Sequence, residues 1–145
     1  MTEPFALDPS RASHAKALEL LATREIGWLV STGRDGFPHA VPVWFLWIDG
    51  AVVTFSQPHA AKVRNLAADP RAAFHLEAGD DGEEWLLLQG TVEFSPEPAS
   101  TWFERLGDAY LAKYRAGLDA LGWTPERLYE DFSLVILVHP HKLIS

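Results

Sequence analysis

Residues 26–56 read IGWLVSTGRDGFPHAVPVWFLWIDGAVVTFS, and this stretch decides the architecture. Three runs rich in β-branched and aromatic residues, 26–32, 38–48 and 51–56, are separated by Arg34-Asp35-Gly36-Phe37 and by Asp49-Gly50. Asp-Gly pairs supply the positive φ angles of tight hairpin turns, so the three runs are predicted to be antiparallel neighbours. The middle run is apolar on both faces and carries Pro42 at its centre. Proline donates no ladder hydrogen bond, which places this strand at a sheet edge or at a bulge.

Outward from this meander, 71–78 and 84–94 predict two more strands across the turn Gly79-Asp80-Asp81-Gly82, with a bulge or bend at Gly90. A last strand is expected over 132–139, ending before Pro140. Helical spacing predicts helices over 11–24 (Ala15, Leu18, Leu21, Ala22), 60–68 (Val63, Leu66, Ala67) and 97–116 (Trp102, Leu106, Ala109, Tyr110), the last with Gly117 past its end. Thr124-Pro125 suits an N-cap followed by proline at the first helical position. Six strands joined mostly by hairpins give a mainly β fold with peripheral helices, an antiparallel barrel occupying residues 1–145 as one domain. Strands apolar on both faces, with few helices to cover them, imply a second subunit as cover and hence a homodimer.

The chain has no cysteine, which excludes a disulfide framework, a thiolate metal site and a cysteine nucleophile. Twelve Lys and Arg stand against twenty Asp and Glu, a net charge of −8 that repels nucleic acid and acidic membranes. Residues 1–20 contain no apolar segment of the kind that begins secreted proteins, and no run suffices for a membrane span, so a cytoplasmic location is expected. Against this acidic background one segment is locally basic, with Lys62, Arg64 and Arg71 opposed by Asp69 alone.

That segment is the best candidate for binding. A strand ends in Ser56, a turn follows, and a short helix begins with Lys62 in its first turn. Helix N-termini attract anions, and a lysine there is mildly unfavourable until an anion arrives. A phosphate held by the Ser56 hydroxyl, the Lys62 ammonium and the helix N-terminus resolves the conflict; a solvated surface helix is the plain alternative. Pro42 admits two readings also, a blunted edge or a ladder opened for a planar ligand. Trp44 and Trp47 point to opposite faces of the same strand. His139 and His141 lack a third partner at ligand spacing, so no metal site is expected. His39 and His75 sit on strands as satisfied histidines or as groups facing a ligand, and no catalytic side chain is assigned.

The order GRDGFPHAVPVWFLWIDG, SQPHAAKVRNLAADPRAAFHLE and LLLQGTVEF resembles the pyridoxamine 5'-phosphate-oxidase-like, FMN-binding split β-barrels. Within them it is similar to the actinobacterial branch that uses the deazaflavin coenzyme F420. The resemblance implies a homodimer with two cofactor sites at the subunit interface; the net charge and the lack of a span already speak against a nucleic-acid or membrane partner. The backbone of Val41, Pro42, Val43 and Trp44 would run along the ring system. Ser56 and Lys62 would hold the phosphate, with Arg64 and Asn65 nearby. Some relatives carry a second basic residue where this chain has Ala60, and the family's closing aromatic is absent from the C-terminal Pro140-His141-Lys142-Leu143-Ile144-Ser145. The implied activity is hydride transfer between F420 and a small organic substrate. FMN in an oxidase or flavin reductase, or a non-enzymatic dimer binding a flavin or tetrapyrrole, are the alternatives.

Overall fold

The apolar run over 38–48 is not one strand. In the computed structural model, which describes residues 5–145, the ladder breaks at Trp44 and Phe45 and leaves two strands. The reading of the N-terminal segment therefore lies outside the described residues for positions 1–4. The elements in chain order are α1 (Ala12–Thr23), β1 (Gly27–Thr32), β2 (Pro38–Val43), β3 (Leu46–Ile48), β4 (Ala51–Ser56) and α2 (Ala61–Ala68). They continue with β5 (Arg71–Leu76), β6 (Leu87–Phe94), α3 (Ala99–Leu121), α4 (Pro125–Asp131) and β7 (Leu134–Ile144). The predicted six strands become seven through this single break.

The sheet is antiparallel throughout, in the order β2-β1-β5-β6-β7-β4-β3. Its two edge strands are thus the two halves of one continuous run. From Val43 to Leu46 the chain can reach only about 11 Å, so the edges must come together and the sheet must curl. This is the split-barrel fold. Pro42 lies on edge strand β2, paired with Trp28 on one side only, which is where a residue without an N–H donor belongs.

Inside the curl, Leu29, Phe45, Val52, Phe74, Leu88, Ile136 and Val138 form one core, joined by Leu20 and Leu21 of α1 and Leu66 of α2. Outside it, Val53 and Phe55 of β4 and Val135 and Leu137 of β7 pack against Tyr110, Tyr114 and Leu118 of α3 and Leu128 of α4. The alternation of Val52 inward with Val53 outward explains why these strands read as apolar on both faces. The cover for that outer face comes from the chain's own α3 and α4, which removes the two-faced strands of β4 and β7 as an argument for a partner.

The turns divide. Asp49 and Gly50 have φ of 51° and 79°, the paired positive angles of a two-residue hairpin. At Asp35-Gly36 only Gly36 is positive, and a longer loop closes with Gly33 N–H donating to the Phe37 carbonyl. The bulge expected near Gly90 is present: Gln89 pairs with Lys142 but Gly90 with Pro140, so His141 is the extra residue. That bulge carries β7 through Pro140 to Ile144, past the predicted end. Strand β6 starts at Leu87 instead of 84. Helix α3 continues five residues beyond 116 through Gly117 and stops at Gly122, whose φ of 70° is the left-handed C-terminal cap. In all three predicted helix stripes the large residues turn inward, Leu21 of α1, Val63 and Leu66 of α2, and Trp102, Leu106 and Tyr110 of α3, but the alanines do not. Helix α1 buries His14, Ala17, Leu20 and Leu21 while Ala15 and Ala22 are exposed, and Ala67 and Ala109 are exposed as well. Alanine has too little apolar area to decide which face turns inward. Thr124 caps α4 as predicted, its hydroxyl accepting from Arg127 N–H at 3.2 Å.

Candidate functional site

Where the two halves of the 38–48 run separate, a cleft of about 310 Å³ opens between the β2 end, Phe55 of β4, the start of α2 and the helices α3 and α4. Pro42, Val43, Trp44 and Lys62 all line it, so half of the eight predicted site residues converge on one cavity. Its other walls are aromatic and aliphatic, with Tyr110, Trp123 and Phe132 the largest groups. A flat, largely apolar ligand suits such walls.

Lys62 is the only cation among the lining residues. It is half-buried, and burial pulls its ammonium below the ordinary lysine value, with no neighbouring charge among the described residues to offset the loss of water. The α2 N-terminus beside it begins at Ala60, which offers no side-chain cap to the first-turn N–H groups. A cation taken out of water without a counter-ion and an uncapped helix N-terminus both favour an anion at the same place.

The remaining predicted residues are arranged differently. Val41 is turned toward the barrel core. Ser56 is fully buried, paired with Leu134 in the sheet, and its hydroxyl donates to the Gln57 carbonyl at 3.0 Å. It does not line the cleft beside Lys62. Arg64 and Asn65 face a second, polar cleft of about 600 Å³ on another side of α2, together with Arg34, Thr32 and Asp69. There Arg64 donates to the His59 carbonyl at 2.6 Å and Asn65 to the Ser31 hydroxyl at 3.2 Å. Arg71 grips Asp69 through two bonds of 3.0 and 2.8 Å, which hold the Asp69 carboxyl down at about 2. The basic patch of the sequence is therefore three separate environments. Residues two apart on a helix point in different directions, and Asp69 neutralises the third member.

Several lining groups lie outside the predicted set: Tyr110 and Leu121 of α3, Trp123 before α4, Leu128 of α4 and Phe132 after it. The sequence signal was available in the aromatic spacing of 102–132, which reads equally as core. His39 and His75 do not line the cleft. His75 stacks on Trp28 at 6.2 Å, whereas the His39 Nδ1 is buried without a partner among the described residues. No described helix is long and apolar enough to cross a membrane.

The family model described as pyridoxamine 5'-phosphate oxidase matches residues 13–132. Among solved structures, the chain is similar to an F420 reductase at 23% identity and a TM-score of 0.67, covering 87% of this chain and 94% of that one. It is similar to a putative pyridoxamine 5'-phosphate oxidase from Listeria innocua at 20% identity and a TM-score of 0.66, covering 90% and 94%. A heme binding protein from Mycobacterium smegmatis matches at 26% identity and a TM-score of 0.63, with 99% of this chain covering 54% of that longer one.

Proposed function

The chain belongs to the pyridoxamine 5'-phosphate oxidase family of flavin-binding split barrels, and we propose that it is an oxidoreductase that holds coenzyme F420 in the cleft beside Lys62. The observation that carries this reading is the half-buried Lys62, uncompensated by any neighbouring charge among the described residues, in a cleft otherwise walled by aromatic and aliphatic groups. A planar ring bearing a phosphate meets both conditions. The preference for the deazaflavin over FMN rests on the acidic tail. Arg34 and Arg64 across α2 offer contacts to the acidic tail that F420 has and FMN lacks.

The roles follow from position. Trp44, Trp123 and Phe132 present apolar surface to the ring system and exclude water around it. Lys62 and the α2 N-terminus hold the phosphate. Pro42 leaves edge strand β2 without one of its donors and gives the ligand a smooth, unpaired flank. When bound, the deazaflavin supplies the hydride chemistry. The protein orients it and keeps the site dry. The aromatic residues Tyr110 and Tyr114 are kept protonated by burial, their hydroxyls pushed above the ordinary tyrosine value.

A homodimer completes the proposal. The outer face of β1, β5 and β6 exposes part of Trp28, Val30, Ala73 and Leu87, which belong to neither core. A second copy is the proposed cover for this half-apolar face. Sedimentation at micromolar concentration should give twice 16.1 kDa; a compact monomer would overturn the proposed interface. The cofactor reading is tested by titrating the purified protein with F420 and with FMN. Tighter binding of F420 is expected, and equal or tighter binding of FMN would replace the deazaflavin with the flavin.

A further inference from the structure

We propose that Gly117 and Tyr114 of α3 are positioning residues for the cleft, which fix the Trp44 indole and so set how tightly a flat ring system binds. This inference rests on the reading of the cleft as the site of a planar, phosphate-bearing ring, and it adds the elements that hold the wall against which the ring packs.

Trp44 sits in the break between β2 and β3, where no ladder holds the chain. Its position comes from α3 and β4 instead. The Thr54 hydroxyl donates to the Trp44 carbonyl at 2.7 Å. The next residue, Phe45, donates its N–H to the Tyr114 hydroxyl at 2.9 Å, and that hydroxyl in turn donates to the Glu25 carbonyl at 2.6 Å. One phenol therefore ties the break to the segment before β1. The Tyr114 ring also stacks on the Trp44 indole, with centroids 4.7 Å apart and planes 11° from parallel. Tyr114 is 1% exposed, so its ring has no freedom to follow a displaced indole.

Gly117 lies one helical turn beyond Tyr114 on the same side of α3. A methyl group there would stand 2.9 Å from Trp44 Cζ2 and 3.0 Å from Cη2. These are closer than packed carbons tolerate, and the atoms met are the far edge of a side chain that lines the cleft. The helix axis is held by Tyr110, Tyr114 and Leu118, all buried. The indole is the part that gives way, and the space beside it is the cleft. Glycine in the interior of a 23-residue helix is unfavourable relative to alanine. Its presence here is explained by the approach of Trp44.

The test compares Gly117→Ala, Tyr114→Leu, Tyr114→Phe and Lys62→Ala. Each is titrated with FMN and riboflavin, and with F420 and its phosphate-free deazaflavin chromophore, while near-ultraviolet circular dichroism and thermal midpoints are followed. Gly117→Ala should weaken phosphorylated and phosphate-free rings by the same factor, about tenfold, as expected for a lost aromatic contact. It should change the near-ultraviolet signal of the Trp44–Tyr114 stack without lowering the thermal midpoint. Tyr114→Phe keeps the stack and should bind the rings more tightly than Tyr114→Leu, which also covers the case that the alanine variant does not fold. Unchanged ring affinity in Gly117→Ala, a loss confined to phosphorylated ligands, or equal affinities in the two Tyr114 variants would overturn the inference. An unaffected Lys62→Ala would overturn the phosphate reading alone, because the phosphate-free rings still report on Gly117. No binding of any of the four compounds by the wild-type protein would overturn both.

Discussion

Two lysines of this chain are half-buried, and they are held in opposite ways. Lys113, in the middle of α3, donates to the Phe45 carbonyl at 2.9 Å, approaches the Leu21 carbonyl at 3.5 Å, and lies 3.6 Å from the centre of the Phe45 ring. Burial lowers it to about 8, and Glu25 acts against that fall. Lys62, in the first turn of α2, is lowered by burial alone and faces a cleft. A desolvated cation needs acceptors. The fold supplies them to Lys113 and leaves those of Lys62 to a ligand. Lys113 is thus a structural group, whereas Lys62 marks a site.

The largest effect that would break this contrast is on binding. Lys62→Ala is expected to weaken the phosphorylated cofactor by roughly ten- to a hundredfold, the worth of one charge-assisted hydrogen bond of about 1.5–3 kcal/mol. The thermal midpoint of the ligand-free protein should hold or rise, since a costly buried charge is removed. The wild-type affinity should also fall at alkaline pH, as the ammonium of Lys62 loses its proton. Calorimetric titration of both proteins reads these outcomes. Unchanged affinity in the variant would make Lys62 an ordinary lysine.

A smaller effect sharpens the other half. Lys113 binds its proton less tightly in the folded chain, at about 8, than in the unfolded chain, at its ordinary 10.5. Between those values the unfolded state holds more protons, so stability rises with pH. The slope from this group is at most about 1.4 kcal/mol per pH unit. Denaturant unfolding at pH 8 and 9.5 should therefore show a gain in the wild-type protein that is reduced in Lys113→Met. Above about pH 10 the buried tyrosines act in the opposite sense, because their ionisation is favoured on unfolding. An identical pH profile in the variant would mean that Lys113 is solvated in the native state.

The sequence showed the first lysine better than the second, for reasons that lie in the residues. Lys62 follows a strand end and opens a short helix, a local pattern that needs no knowledge of the fold. Lys113 gains its meaning only when α3 meets the break at Phe45, and nothing local predicts that contact. The break itself was hidden, because PHAVPVWFLWI is apolar without interruption and Trp44-Phe45 carries no turn residue. Its two ends become the two edges of the sheet only through the closure of all seven strands. The same limit applies to Arg64 and Arg71. Nearness in sequence placed them with Lys62, and helical rotation together with the Asp69 pair then separated them. Tertiary packing also turned α3 from an accessory helix into the back wall of the cleft.

The smallest effect concerns the cleft on the far side of α2. Arg64 is exposed, hydrogen-bonded to the His59 carbonyl, and shares the polar cleft with Arg34 and Asn65. Water reaches it freely, so its attraction for an anion is screened, and exposed pairs are worth roughly 0.2–1 kcal/mol. Arg64→Ala should accordingly weaken F420 by only about two- to fourfold at low salt, through its acidic tail. FMN ends at its phosphate and should be indifferent to the substitution. The difference between the two ligands should shrink toward nothing as salt approaches 0.5 M, where the screening length is only about 4 Å. Arg34→Ala is expected to behave alike, whereas the Lys62→Ala effect should persist in salt because its contact is partly out of water. Fluorescence titrations of the three variants at two salt concentrations make the comparison. A large, salt-resistant loss in Arg64→Ala for both ligands would place the phosphate at Arg64, and the contrast between the two sides of α2 would have to be reversed.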